Sequence, residues 1–382
     1  MSERAITAEV GRSIAALDAA QWDALAGPDN PFVSHAFLSL LEQSGSVGRG
    51  TGWNPAPITI KGEDGRLVAA LPAYLKSHSQ GEYVFDHSWA HAWENAGGHY
   101  YPKLQISVPF TPATGPRLLL ADPQWAPAIL SAAENLADQN GLSSVHATFI
   151  EPAQLPLFEQ AGWLMRSDTQ FHWHDDGYGD FEGFLSSLTS RKRKDLRKER
   201  ARAQEGVEIV HLTGDAITEA HWDAFWIFYQ DTGARKWGHP YLTREAFSLM
   251  GRNMADRILL ILAQVEGHPI AGALNFIGSD TLYGRYWGCT VDKPFLHFEL
   301  CYYQAIDAAL ARGLKRVEAG AQGGHKMARG YAPELTWSAH YLPDPGFRRA
   351  VADFLERERA AVAADREMLT EMLPFRKGER QA

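Results

Sequence analysis

Asp18-Ala19-Ala20-Gln21-Trp22-Asp23-Ala24-Leu25 near the start of the chain, and His221-Trp222-Asp223-Ala224-Phe225 far downstream, spell one pattern twice. The first copy reads as a capped helix, with Asp18 accepting from the first turn and Gln21 reaching back to close the cap. A second helix is expected after each copy, over residues 36–43 and 243–250. Each copy then runs apolar, turn, apolar: residues 56–60, 62–66 and 67–75 in the first, and 258–265, 266–269 and 270–277 in the second. Both runs read as β-hairpins, with Gly65 and Gly267 in the turns. Matched helices, hairpins and glycines in one order predict a duplicated domain of mixed α/β character.

The rest of each half continues in that style. In the first, a helix is expected over 122–140 and strands over 145–150 and 168–174; in the second, a strand over 281–289, a helix over 299–312 closed by Gly313, and a strand over 316–319. The charged segment 175–206 separates the halves, so the domains are expected at 1–178 and 179–382. The second carries a basic linker helix and an amphipathic C-terminal helix over 347–373.

Composition narrows the class. A chain of 382 residues exceeds one ordinary core, and 45% hydrophobic with 22% charged residues is a globular balance. A net charge of −9 argues against wrapping nucleic acid, so DNA is not expected as a partner, although a local basic patch can still meet phosphates. The two cysteines, Cys289 and Cys301, imply no disulfide framework and read as packing residues. No secretory core opens the chain, and no apolar run approaches the roughly 20 residues of a bilayer span. A cytoplasmic location without a transmembrane segment is the expectation.

Four motifs invite chemistry. The run Tyr100-Tyr101-Pro102-Lys103-Leu104 through Val108-Pro109-Phe110-Thr111-Pro112-Ala113-Thr114-Gly115-Pro116-Arg117 holds four prolines, and so reads as a rigid loop. Its rings and cations suit the wall of an anionic ligand site, and packing over the core is the plainer alternative. The run Glu318-Ala319-Gly320-Ala321-Gln322-Gly323-Gly324-His325-Lys326-Met327-Ala328-Arg329 is a glycine loop at the carboxyl end of a strand, where α/β sheets hold ligands. It is not a P-loop, because Met327 stands where Ser or Thr would hold magnesium. Asp292-Lys293-Pro294-Phe295-Leu296-His297-Phe298-Glu299 opens a helix after a strand, and its free N–H groups favour an anion, with Glu299 and His297 close by. Residues Arg191 to Arg202 hold eight basic side chains against two acidic ones, and read either as a phosphate contact or as a solvated linker helix. The pairs His87/His91 and His172/His174 have chelating spacing, but no Cys partner lies nearby and no HExxH is present, so no metal is expected.

Together, Tyr100 to Leu119, the basic run, residues 297–306 and residues 320–340 resemble the FemAB-like family of predicted N-acyltransferases, over residues 30–374. That family is similar to the peptidoglycan-bridge Fem ligases. The resemblance implies an α/β (α+β) fold of tandem duplicated GNAT-like (acyl-CoA N-acyltransferase) domains with mixed central sheets. It also implies transfer of an acyl or aminoacyl group to an amine, linked to the cell wall. The donor would be an acyl-CoA co-substrate or an aminoacyl-tRNA, with no permanently bound cofactor. A non-catalytic module that binds a cell-wall precursor or an acylated ligand is the alternative. The chemistry needs a proton acceptor and donors for an oxyanion. Glu299, Glu318 and His325 are the candidate catalytic residues. His297, Gln322, Gly323, Lys326 and Arg329 are expected on the donor side, and Trp89, Tyr101, Lys103 and Arg117 on the acceptor side.

Overall fold

The computed structural model describes residues 7–236, 240–320 and 323–376. Packing divides them into two units: one of residues up to 168 with 335–364, the other of 169–334 with those from 365 onward. The expected division at 178/179 therefore differs in two ways. The first unit ends within the strand Leu164–His174, and it recovers a later segment that supplies part of the strand Ala332–Tyr341 and most of the helix Pro345–Glu371. Strand pairing brings this segment back: Trp337 to Tyr341 run antiparallel to Val145–Ile150.

In the first unit, the helix Ala19–Ala26 is capped by Asp18, which accepts from the Gln21 N–H. Gln21 does not reach back; its side-chain oxygen accepts from Leu67 N–H and ties the helix to the hairpin. That hairpin, Ile58–Lys61 with Leu67–Leu71, turns at Gly65 and sits in a four-stranded antiparallel sheet with Ala8–Val10 and Leu119–Leu120. A second sheet orders Trp53–Pro55, Ala73–Lys76, Lys103–Ile106, Val145–Ile150 and the returning strand. Within it, only Lys103–Ile106 and Val145–Ile150 are parallel. The helix Ala126–Asn140 joins these two and buries Ala126, Ile129, Leu130, Ala133 and Ala137, the helical stripe, against Leu104, Ile106, Val145 and Ala147. By strand alternation, the other sheet face carries Tyr74, Lys76, Lys103, Gln105, His146 and His340, all buried.

The second unit repeats the order. The helices Glu219–Lys236 and Arg244–Met254 precede the hairpin Ile258–Val265 and His268–Ile277, which turns at Gly267. Thr281–Cys289 follows antiparallel, then a helical segment over 296–311, then Arg316–Glu318 running parallel to Thr281–Cys289. Glu208–Leu212 flanks the hairpin, and the end of Leu164–His174 pairs with Arg316–Glu318. One sheet face packs Leu259, Ile261, Ala273, Leu282 and Val317 against Leu300, Tyr303 and Ile306 of the helical segment. Among the described residues, the parallel strand pair of each unit is the one joined by a helix, as crossover geometry demands.

Candidate functional site

In the second unit the parallel pairing covers only Thr281 to Tyr283 against Arg316 to Glu318. From Gly284 to Cys289 the longer strand keeps its ladder to His268–Ile277, while the shorter one ends and gives way to the glycine loop. A parallel pair that parts at its carboxyl ends is where an α/β sheet opens a crevice. The equivalent pair in the first unit is closed by its own chain. Beyond Ala147 the Pro-rich loop returns, and Gly115 forms a parallel bridge to Ile150. Its N–H donates to Phe149 O (3.0 Å) and its carbonyl accepts from Glu151 N–H (3.1 Å).

Glu318 stands at the opening in the second unit. It is 3% exposed, and neither carboxylate oxygen has a hydrogen-bond partner among the described residues. The nearest cation, Arg316 Nε, is 3.6 Å away, beyond hydrogen-bond reach. Burial pushes this carboxyl up to about 7, against the pull of Arg316 and Arg285. The register sets it between Tyr283 and His172 on the neighbouring strands. His172 is itself buried and held well below the usual histidine range by burial, with Arg316 adding to it.

Lys326 lies on the short 3-10 turn Gly324–Arg329, buried, and its Nζ donates to Gly320 O (2.7 Å), two residues past Glu318. Burial lowers it to about 7 and Arg285 adds to the shift. His325 is exposed and shares a hydrogen bond of 2.8 Å between its Nε2 and Tyr302 OH, with His297 and Phe298 around its ring. Gly323 makes this possible: at φ 120°, a side-chain carbon there would meet the His325 ring at 2.5 Å. Arg329 braces the turn: it donates to His325 O and to Glu199 (both 2.8 Å), and lies 3.4 Å over the Phe298 ring. Gln322 lies outside the described residues.

Glu299 is fully buried in a π-helical turn, Glu299–Tyr303, inside the helical segment. Such turns recur at functional sites. One oxygen accepts from Arg200 (3.1 Å), Gln204 (2.8 Å) and Gln304 (2.7 Å), so this carboxylate is an anchor for the basic helix Ser190–Gln204. The helix begins at Leu296, after Phe295 at φ 65°, and not at Pro294. Sequence reasoning missed Arg285, which is electrostatically coupled to both Glu318 and Lys326, and Glu199, which receives Tyr303 OH and Arg329.

In the first unit, Tyr101, Lys103 and Trp89 come together and Arg117 does not join them. Lys103 is fully buried and donates to Ser79 (2.8 Å), Glu82 (2.7 Å) and Asp86. Tyr101 OH shares a hydrogen bond with Ser79. Burial opposes the charge on Lys103, but the two carboxylates outweigh it and hold its pKa up. Lys76, over the Trp53 ring, adds a second cation 3.7 Å from Glu82. From Asp86 the network runs through Tyr100 (2.7 Å) and His146 (3.1 Å) to His340 (2.7 Å), over which the Trp89 ring sits edge-on. Burial drives His146 down to about 3, so the two imidazoles are neutral links. Arg117 instead clasps backbone, donating to the carbonyls of Thr148 (2.6 Å), Ala113 (2.8 Å) and Pro116 (3.0 Å). It locks the loop that fills the first unit's crevice.

The histidine pairs have separate settings. His87 and His91 are exposed on the helix His87–Asn95, while His174 bonds Glu334 (3.0 Å). Cys289 and Cys301 are half-buried against the second unit's core. Among the described residues, no helix is long and apolar enough to cross a membrane.

Comparison with known proteins gives these sites a setting. FemX matches with a TM-score of 0.55 at 11% identity, over 88% of this chain and 98% of that one. L-PGS from Bacillus licheniformis matches at 0.50 and 12%, over 83% and 95%. The C-terminal domain of a protein assigned as a lysylphosphatidylglycerol synthetase, from Agrobacterium fabrum, matches at 0.55 and 10%, over 90% and 96%. At such identities the likeness is one of fold. No curated protein sequence matches the chain. The sequence model of the FemAB-like family, described as peptidoglycan biosynthesis/recognition, matches residues 13–377, nearly the whole length. The chain belongs to the FemAB-like family.

Proposed function

We propose that the chain is an N-acyltransferase whose second unit holds the activated donor at the parting of its parallel strands. The observation that carries this reading is Glu318, a buried carboxyl at that opening, without a hydrogen-bond partner and titrating at about 7. A base poised near the working pH suits removal of a proton from an attacking amine. In the reaction, the amine nitrogen bonds to the carbonyl carbon of a thioester or ester, and Glu318 accepts the proton that nitrogen loses. The bond to the leaving sulfur or oxygen then breaks. Lys326, with its ammonium also near 7, returns a proton to that atom. Backbone N–H groups of the glycine loop are the natural donors to the oxyanion. His325 and Arg329 shape the loop. Glu299 anchors the basic helix.

Names among the fold relatives favour an aminoacyl donor, since lysylphosphatidylglycerol is itself an aminoacyl ester. The deciding experiment incubates the full chain with acyl-CoAs and with charged tRNAs in the presence of amine acceptors, and measures transfer. Transfer from one donor class confirms the reading and names the donor. Binding of a donor or of a cell-wall precursor without transfer replaces it with the recognition role that the family description also allows.

A further inference from the structure

The basic helix Ser190–Gln204 has two faces with different employment. Its inner face is fixed: Leu196 and Ala203 are buried, Arg200 binds Glu299 and Asp307, and Glu199 binds Tyr303 and Arg329. Its exposed positions are 190, 191, 194, 197, 198, 201, 202 and 204. Of their cations, Arg197 pairs with Glu182, whereas Arg191, Lys194 and Lys198 have no ion-pair partner among the described residues. Arg202 has only the Phe295 ring, 5.9 Å away. The spacing of Arg191, Lys194, Lys198 and Arg202 makes one straight stripe about 16 Å long. Asp195 is the one acidic side chain of the helix not tied inward. In a chain of net charge −9, such a stripe is a local reversal of sign.

Exposed apolar side chains bracket it. At its start, Thr189 N–H donates to Pro374 O (2.9 Å) and Leu188 bridges Phe375, which brings up Met372, 64% exposed, and the helix end bearing Met368, 57% exposed. At its far end, Lys293 Nζ donates to Glu205 O (2.7 Å), beside Val291, 46% exposed. Cations alone fit any polyanion. Cations flanked by protruding apolar side chains fit the headgroup and acyl boundary of a bilayer.

We infer that this face of the second unit docks on an anionic lipid surface, with the stripe on the headgroups and Met372 and Val291 entering the boundary. The test is co-sedimentation of the full chain with phosphatidylcholine vesicles, with and without phosphatidylglycerol. Binding is expected only with the anionic lipid, weakening with salt. Lys194→Ala and Lys198→Ala should each weaken it about fivefold, and the pair about 25-fold. All these side chains are exposed, so the fold tolerates their loss. Met372→Ser should weaken binding further at constant charge. Absence of binding to anionic vesicles would overturn the inference. So would equally tight binding to a structured RNA that follows the lysine variants but ignores Met372→Ser, an outcome that would assign the stripe to a nucleic-acid backbone.

Discussion

Replacing Glu318 with Gln should slow transfer and, above neutral pH, stabilise the protein relative to its acidic behaviour. A carboxyl that titrates at about 7 in the fold and near 4.5 in the unfolded chain stays protonated longer in the folded state. Below pH 4.5 both states hold the proton and nothing is lost. As pH rises from there to 7, the unfolded chain ionises first, so wild-type stability falls by about 3 kcal/mol and stays lowered above 7. Glutamine does not titrate. Its buried amide carries a penalty of its own, about 1–3 kcal/mol, but the same one at every pH. The informative quantity is therefore the variant-minus-wild-type difference between pH 5 and pH 8, expected to move about 2–3 kcal/mol in favour of the variant. Urea unfolding followed by tryptophan fluorescence measures it. In the same variant, loss of a general base should lower transfer by about 10²–10⁴-fold. A stability difference flat across that pH range would refute the buried, neutral-pH carboxyl. A difference that moves as expected while transfer is untouched would leave Glu318 strained but not the base.

Three further outcomes separate structure from chemistry. Arg117→Ala should cost at least about 3 kcal/mol in urea unfolding, because its donors are spent on three carbonyls. Transfer per folded molecule should be unchanged. Lys103→Met leaves Asp86 buried without its cation and Glu82 with only the more distant Lys76, a cost of about 3–5 kcal/mol at pH 8. Burial raises the Asp86 carboxyl, but Lys103, with His146 and Ser79, outweighs it and holds the pKa down, so that stabilisation is present above the unfolded pKa and lost as pH falls; the variant's deficit should shrink in acid. Gly323→Ala, at φ 120° and facing the His325 ring, should cost about 1–3 kcal/mol in thermal melts and displace His325 from Tyr302.

Much of the fold was legible in the residues. The strands Ile258–Val265 and Thr281–Cys289 lie where apolar runs placed them, and Gly65 and Gly267 turn their hairpins. These signals are local: a run, a turn residue, a cap. Glu318 could be nominated for the same reason, as an acid at the end of a strand before glycines. The buried network of the first unit was hidden because nothing local links its members. Lys76 meets Lys103, and His146 meets His340, only through strand register. Arg117 misled because a guanidinium suited to an anion suits carbonyl oxygens equally well, and composition does not distinguish them. The basic run was ambiguous until its inner face had partners, leaving Arg191, Lys194 and Lys198 without an ion pair among the described residues.

The return of residues 335–364 to the first unit has a consequence during synthesis. Most domains can finish folding soon after they leave the ribosome. Here the strand that pairs with Val145–Ile150 in the first unit's larger sheet is made only after about 165 residues of the second unit. At about 5–20 residues per second, the first unit waits roughly 8–35 s with the Val145–Ile150 edge exposed. A nascent chain with an open edge is a natural client for a holding chaperone. Fragments cut at the boundary between the two Trp-Asp-Ala repeats would inherit that open edge permanently.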